Sequence, residues 1–340
     1  MDRTAFAWSL ALTAGALLAC GGGDSIPVVR TTAPALLALE IDLAEPVSSE
    51  GDGLGFALAG AVEVRAGRLV VLETGNDRVV VFDDRRRPSR YIAHGGSGPG
   101  EIRGAVGLAV WRHEYAVVEV NNARVSVFDT SGAFIRSFGV PNGFSNIAYG
   151  PDGTIYVNAY DRENYLLAAR RDGGLRPFAR RPVDLYPADV MASPVSRISG
   201  YVHFTVTPDG VVHAYDAILA ALVAFDTTGR RIGLRRIPPW IAEGLRDHAA
   251  LVARDFGGDG TGAPASITDL SVTDDGKLLL LFYNLGAIGL LVDPRTYQAQ
   301  EIRWGPGVDP KLAGFGGVVR GDVFYRLSSD DLRLFRLVPE

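Results

Sequence analysis

The chain has 340 residues, of which 47% are apolar and 21% are charged, enough apolar side chains for one large core or two smaller ones. Its formal net charge is −5 and its basic residues form no stripe, which argues against electrostatic binding of nucleic acid or of anionic lipid headgroups. The 41 glycines predict many turns.

The N-terminus has the three-part form of a secretion signal. Arg3 precedes an apolar run from Ala5 to Leu18, and the run closes with the tetrapeptide Leu17-Leu18-Ala19-Cys20. A run of this length is too short to span a bilayer, which takes about 20 apolar residues. We therefore expect residues 1–19 to be a signal peptide that is removed on export.

The tetrapeptide that ends in Cys20 resembles the lipobox of bacterial lipoproteins. The resemblance implies that Cys20 is acylated; the alternative is a plain secretory signal with an incidental cysteine. Gly21 follows Cys20, which by the same resemblance favours the outer membrane, with the protein facing the periplasm or the cell surface. Cys20 is the single cysteine of the sequence, so the mature chain would have no free thiol, and a thiol-dependent enzyme is excluded.

Residues 20–35 contain small residues, two prolines and little to bury, so they are predicted as a flexible, lipid-anchored tether.

A repeat dominates the rest of the chain. The segment Asn76–Asp83 (NDRVVVFD) recurs 46 residues later as Asn122–Asp129 (NARVSVFD), and weaker copies lie at 167–172, 222–226 and 290–293. After the final Asp, two copies have a glycine three residues on, which favours a tight turn because the Asp side chain bonds the backbone and glycine accepts a positive φ. Each copy therefore predicts a strand, a turn and a second strand.

A second series of turns precedes these copies, at 151–153, 208–210 and 274–276, with looser versions at 66–67 and 320–322. Together the two series predict four antiparallel strands per repeat, with repeats that begin near residues 56, 103, 144, 200, 267 and 314. The predicted fold is all-β: a six-bladed β-propeller of four-stranded antiparallel blades over residues 36–340. The two longest intervals leave a seventh blade as an alternative.

The last repeat has only three predicted strands, at 317–319, 323–327 and 332–338. Leu36 to Leu43 is an unassigned strand that precedes the first repeat. We expect it to supply the missing outer strand and to close the ring, which also removes exposed sheet edges.

The pattern Asn-x-Arg-Val-x-Val-Phe-Asp, with the glycine-rich segment 95–101 between the first two repeats, resembles the NHL-repeat family of six-bladed propellers. The first two repeats carry most of the resemblance.

The predicted binding face holds the loops between strands two and three of each blade and the longer loops between blades. Two insertions stand out there. Residues 180–201 contain three prolines and are predicted to be irregular, whereas 238–256 has apolar residues at helical spacing and is predicted as a short helix over the channel mouth. The long insertions, 180–201 and 238–266, are either lids or structural plugs.

Aromatic, arginine and histidine side chains in these loops are the candidate ligand contacts, because aromatic residues and arginine dominate interface energetics. They are Tyr160, Tyr165, Tyr186, Trp240, Arg246, His248, Tyr283 and Trp304.

The first strand of each blade is expected to line the channel, and four polar residues near its rim are candidate metal ligands: Glu63, Asn146, His203 and Asp269. A resemblance to propeller hydrolases of the lactonase type implies that such residues hold a divalent cation, and oxygen donors suit calcium or magnesium. The alternative is a hydrogen-bonded channel lining. A resemblance to the NHL-type amidating lyase would imply several histidines around zinc. The sequence has five histidines, and none of them forms a close pair at metal-ligand spacing, which argues against a lyase: His94, His113, His203, His213 and His248.

The sequence carries no Gly-x-Ser-x-Gly elbow, Walker loop or dinucleotide fingerprint. We therefore expect a membrane-tethered binding module of the cell envelope, with a protein, peptide or carbohydrate ligand on the loop face and no cofactor. The alternatives are a metal-dependent hydrolase or lactonase, which would use calcium or magnesium, and a structural subunit of an outer-membrane assembly.

Overall fold

The computed structural model describes residues 26–32, 34–41, 59–65, 68–141, 146–159, 161–170, 173–188, 190, 202–255, 263–282, 288–308, 316–327 and 332–340. The described residues form an all-β fold. Cys20 and residues 1–19 lie outside them.

Two short strands come first in the chain: β1, Arg30–Thr31, and β2, Leu36–Glu40. Four antiparallel sheets of four strands follow, which we name units A to D. Unit A contains β3 Ala59–Arg65, β4 Arg68–Glu73, β5 Arg78–Phe82 and β6 Pro88–Ile92. Unit B contains β7 Ala105–Trp111, β8 Glu114–Glu119, β9 Arg124–Asp129 and β10 Phe134–Gly139.

Units C and D have the same order of strands. Unit C contains β11 Ile147–Tyr149, β12 Ile155–Asn158, β13 Asn164–Ala169 and β14 Leu175–Arg180. Unit D contains β15 Val202–Val206, β16 Val212–Asp216, β17 Ala221–Phe225 and β18 Arg231–Arg236. A short 3-10 helix, Val183–Leu185, lies between them, and helix α1, Pro239–Asp255, follows unit D.

The remaining strands belong to one larger sheet. Its first part, unit E, contains β19 Asp269–Val272, β20 Leu278–Leu281, β21 Gly289–Val292 and β22 Gln298–Trp304. Its second part, unit F, contains β23 Gly316–Arg320, β24 Val323–Leu327, β25 Leu332–Pro339 and, beyond β25, the N-terminal strand β2. Each unit starts two or three residues after the repeat start that the sequence predicts.

The turns within the units have the predicted chemistry. After β9, one carboxylate oxygen of Asp129 accepts the backbone N–H groups of Ser131 and Ala133 at 2.8 and 2.9 Å, and Gly132 has a φ of +92°. Such a turn fixes where β10 begins, because the side chain of Asp replaces a backbone partner and glycine takes the left-handed conformation without strain.

The first strands of the units contact one another in cyclic order, from β3 through β7, β11, β15 and β19 to β23, and β23 in turn contacts β3. Apolar side chains fill the space between neighbouring sheets. Between units A and B, for example, Leu72 and Val79 of unit A share a buried cluster with Tyr115 and Phe128 of unit B. The ring of first strands leaves a channel along its axis.

The sequence predicts residues 20–35 to be a flexible tether. This expectation is wrong for the last residues of the segment, which are bound to the rest of the protein. The N–H of Arg236 donates to Pro27 at 2.9 Å, and that of Val29 donates to Arg236 at 2.8 Å. Val29 is 2% exposed, and β1 pairs in parallel with β22. Strand β2 then lies between β22 and β25, so this segment touches units D, E and F in succession.

Helix α1 lies where the apolar spacing predicts it, and it packs on units D and E. Its buried residues Ile241, Ala242 and Leu245 share one cluster with Val29 and with residues of units D and E. The helix therefore packs against the junction of these two units. No helix in the described part of the chain is long and apolar enough to cross a membrane.

The position of β2 predicts how two adjacent substitutions differ. Ala38 is fully buried between β22 and β25, whereas Leu39 is 37% exposed. Ala38→Asp should lower the free energy of unfolding by about 3 kcal/mol or more, because it places an unpaired carboxylate in the core. Leu39→Asp is the matched control and should change it by less than about 1 kcal/mol. Denaturant unfolding checks both, and equal effects would show that β2 is not held in the sheet.

Candidate functional site

The channel contains a cavity of about 260 Å³ whose walls come from the first strand of every unit, A to F. Four of its lining residues are those that the sequence singled out near the rim: Glu63, Asn146, His203 and Asp269. Because neighbouring residues of a strand point to opposite sides, only some residues of each first strand face this space. The cavity is the candidate functional site.

Asn146, His203 and Asp269 stand at or beside the start of their strands, and each bonds to the next unit along the ring. The amide of Asn146 donates to the carbonyl of Phe204 at 3.4 Å. His203 bonds the backbone of Ile267. Oδ2 of Asp269 accepts the N–H of Gly317 at 3.0 Å, and its Oδ1 accepts the N–H of Leu270 at 2.8 Å. These bonds connect units C to D, D to E and E to F at one end of the channel, which we call the channel mouth.

Burial sets the charge of the mouth residues. It lowers the pKa of His203 to about 4, although the bond to the backbone of Ile267 opposes the shift, so the imidazole is neutral at pH 7. Burial also raises the pKa of Asp269 to about 6, against the opposing effects of the N–H groups of Gly317 and Leu270 and of the charge on Arg326. Asp269 is therefore an ionised carboxylate at pH 7 whose charge its neighbours compensate only in part.

Glu63 lies at a different depth in the channel. It pairs with Val70, two residues from the β3–β4 turn, whereas Asp269 pairs with Leu281 at the opposite end of its own hairpin. The carboxylate of Glu63 lies 3.6 Å from a guanidinium nitrogen of Arg320, and Arg320 also contacts Asp274 at 3.2 Å. Glu63 thus belongs to an ion-pair network near the far end of the channel.

The four candidate ligands therefore do not fit one metal centre. Both oxygens of Asp269 already accept backbone hydrogen bonds, and the side-chain oxygen of Asn146 accepts the N–H of Ile147 at 2.8 Å. Glu63 is held by Arg320. Among the described residues, no group of three or more histidine, cysteine or acidic side chains is placed to hold a metal ion. The donor set matches a hydrogen-bonded channel lining better than a calcium or magnesium site.

Two of the candidate ligand contacts, Tyr165 and Tyr186, lie together inside the protein. Both hydroxyls donate to Oδ2 of Asp216, whose Oδ1 accepts the N–H groups of Ile218 and Leu219 at 2.9 Å each. Burial and the adjacent carboxylate raise the pKa of both tyrosines. This cluster joins β13 of unit C to β16 of unit D, so the two tyrosines act in packing and are not available on the loop surface.

The remaining candidates are dispersed. Trp304 packs on Phe335 with ring centroids 5.2 Å apart, in the core between units E and F. Trp240 and Arg246 are exposed on helix α1, with the half-buried His248 on the same helix, and none of the three lines the channel cavity. Tyr160 and Tyr283 lie outside the described residues.

A repeated polar group that sequence reasoning missed explains the Asn-x-Arg pattern. Glu119 is fully buried and accepts hydrogen bonds from Asn122, Arg124 and Ser126. Arg124 also donates to the carbonyls of Gly98 and Glu101, so it holds the glycine-rich segment. In unit A, Glu73 accepts from Asn76 and Arg78 in the same arrangement. The signal was available, because Glu73 and Glu119 stand three residues before each repeated asparagine.

Comparison with known proteins places this fold among β-propellers. The structure resembles streptogramin B lyase, with a TM-score of 0.57, 13% identity, and coverage of 89% of this chain and 98% of that chain. It also resembles a Bacteroides fragilis protein named as exported, with a TM-score of 0.58, 13% identity, and coverage of 93% and 99%. Virginiamycin B lyase from Staphylococcus aureus gives a TM-score of 0.53, 13% identity, and coverage of 83% and 80%.

At this level of identity the likeness shows the fold, and the predicted all-β propeller architecture is confirmed. No protein-family model and no curated protein matches the chain.

The raised pKa of Asp269 predicts a pH-dependent effect of one substitution. An acid whose pKa is higher in the folded than in the unfolded protein contributes stability that is present below pH 4 and lost as the pH rises through 6. The Asp269→Asn variant has no carboxyl group to ionise and so does not lose this stability. The difference in free energy of unfolding, variant minus wild type, should therefore increase from pH 4 to pH 8. In a site without water this increase would be about 3 kcal/mol, and screening by water in the channel reduces it to about 1–2 kcal/mol.

Denaturant unfolding at several pH values measures this difference. Asp129→Asn is the control of opposite sign, because the Ser131 side chain and backbone N–H groups lower the pKa of Asp129. A pH-independent difference for Asp269→Asn would contradict the burial of this charge.

Proposed function

We propose that this protein is an exported, lipid-anchored β-propeller that acts as a binding module of the cell envelope, with its ligand at the channel mouth. We further propose six blades, units A to F, with β2 as the fourth strand of the last blade. The cyclic contacts of the first strands and the pairing of β2 with β25 support this count. The roles of Asn122 and Arg124 support an NHL-like pattern in the first two blades.

The observation that best supports a binding role is that the polar side chains at the channel mouth are held by hydrogen bonds between units. Asn146, His203 and Asp269 each bond to a neighbouring unit, so their positions are fixed by the ring. A rigid mouth reduces the conformational entropy that a ligand must overcome on binding. The same bonds occupy the groups that a metal-dependent hydrolase would need, so we favour binding over hydrolysis.

The size and charge of the cavity favour a peptide or protein ligand that inserts one basic side chain. A volume of about 260 Å³ is below the range of about 300–1,000 Å³ that suits whole small-molecule ligands. The raised pKa of Asp269 means that its charge is incompletely compensated, and a lysine or arginine of the ligand would complete the pairing. The neutral His203 adds no competing positive charge.

Selection of random heptapeptides on the immobilised full chain tests this site. Peptides that share a lysine or arginine should be enriched, and Asp269→Asn should weaken their binding at least tenfold, because the charge pair in the cavity is lost. Asp129→Asn removes a carboxylate from a turn outside the cavity and should leave the affinity unchanged.

Enriched peptides that bind the Asp269→Asn variant equally well would contradict the proposed site. An absence of peptide enrichment, together with specific signals on a glycan array, would contradict a peptide ligand and favour a carbohydrate at this face.

The lipid anchor is proposed at Cys20, with Gly21 favouring the outer membrane. The first backbone bond of the described chain is made by Pro27, seven positions after the anchor residue. Fully extended, this stretch of chain reaches about 25 Å at most. The anchor would therefore hold the outer edges of units D and E, where Pro27 and Val29 bind, near the membrane surface.

Metabolic labelling with radioactive palmitate tests the anchor. The wild-type protein should incorporate label and partition into the detergent phase of Triton X-114, whereas Cys20→Ser should lose both properties. Persistent partitioning of the Cys20→Ser variant would show that another part of the chain attaches the protein to the membrane.

A further inference from the structure

A second cavity, of about 530 Å³, lies between units D and E at the end of the ring opposite the channel mouth. Its walls come from three turns: 207–211 between β15 and β16, 273–277 between β19 and β20, and 293–297 between β21 and β22. Among the described residues, it shares no lining residue with the channel cavity. We call it the turn-face pocket.

A small residue of unit D, Ala224, lines this pocket. Ala224 pairs with His213 in the register where Val81 pairs with Val70 in unit A and Val127 pairs with Ala116 in unit B. The valines fill the corresponding junctions as buried core residues, and in unit C the equivalent Ala168 is buried beside the large side chain of its partner Tyr156. Nearer the mouth, the junction of units D and E is closed by Tyr215 and Leu222, so the space is confined to the level of Ala224.

His213 gives the pocket a buried polar group. Its side chain lines the pocket, the residue is 2% exposed, and its Nδ1 has no hydrogen-bond partner among the described residues. Burial lowers the pKa of His213 to about 4, so the imidazole is neutral and offers one donor and one acceptor. A buried polar nitrogen of this kind costs free energy unless a ligand or water satisfies it.

Several of the charged groups around the pocket are paired. Lys277 lies 2.7 Å from Asp275, and Arg320 lies 3.2 Å from Asp274. The pKa of Asp209 is lowered by a hydrogen bond from Thr207 and, more weakly, by the charge of Arg295 across the pocket. The pocket lining therefore has many donors and acceptors, with four carboxylates against two cationic side chains, Lys277 and Arg295.

We propose that the turn-face pocket binds a neutral saccharide, a mono- or disaccharide. Hydroxyl groups both donate and accept, so one sugar can satisfy the carboxylates, the cationic side chains and the imidazole of His213 together. Tyr297, half-buried, and Ile232, 51% exposed, supply apolar surface for the carbon face of a sugar ring. The volume lies within the range of small-molecule sites.

Other classes of ligand fit less well. Four aspartates line the pocket, which disfavours an anion: Asp209, Asp274, Asp275 and Asp293. A bare metal ion is disfavoured because the side-chain oxygens of Asp209 and Asp293 that face their turns already accept hydrogen bonds from Thr207 and from the N–H of Arg295. An apolar ligand would leave the charged side chains desolvated without partners.

Saturation-transfer-difference NMR on the purified full chain tests this assignment, with glucose, galactose, mannose, N-acetylglucosamine and maltose as probes. At least one sugar should receive saturation from the wild-type protein. Ala224→Leu, which fills the pocket, and Asp293→Asn, which removes a carboxylate from its wall, should each abolish most of the signal. Asp129→Asn is the matched control, because Asp129 occupies the same turn position in unit B and lies outside the pocket.

Transfer that is retained by Asp129→Asn and lost in both pocket variants, with their melting temperatures within a few degrees of wild type, supports the proposal. No transfer to any of the five sugars, or transfer that both pocket variants retain, overturns it. Loss of saturation transfer in the control Asp129→Asn as well would show that the sugar binds elsewhere, and this outcome also overturns the proposal. The channel-mouth variant Asp269→Asn should keep the sugar signal, which separates this site from the proposed peptide site.

Discussion

Each four-stranded unit of this protein has apolar side chains on both of its faces, so each must be packed between two neighbours. In unit D, Val212 and Ala214 face unit C, while Tyr215 and Leu222 face unit E. A row of such sheets would leave two apolar faces in water unless it closed on itself. The contact of β23 with β3 provides that closure, and the N-terminal strand β2 completes the sheet at the junction of units E and F.

The buried and half-buried acidic groups of this protein differ in how many hydrogen bonds they receive. Asp216 receives four hydrogen bonds and Glu119 is surrounded by four donors, so both are satisfied within the protein. Asp269 accepts only two backbone N–H groups, and its pKa stays above the ordinary value. A buried charge that its own fold compensates in part is a point at which a ligand can gain binding free energy.

The two ends of the ring differ in how they create space. In the channel, the space comes from the ring itself, because the first strands cannot approach closely enough to fill the axis with side chains. At the turn face, it lies at the junction of units D and E, beside the small residue Ala224. The first kind of cavity belongs to the architecture, and the second depends on side-chain volume and is therefore specific to this sequence.

The sequence by itself determined the positions of the turns, the spacing of the repeats, the helix at 239–255 and the N-terminal strand, because these depend on local patterns of Asp, Gly and apolar residues. It also placed Asn146, His203 and Asp269 on the channel. Only the tertiary structure decided that Tyr165 and Tyr186 meet Asp216, that Glu63 pairs with Arg320 and that residues 27–31 bind units D and E. These contacts join residues far apart in the chain, as Tyr165 and Asp216 are by 51 positions, and they follow from sheet register and from the packing of one unit on the next.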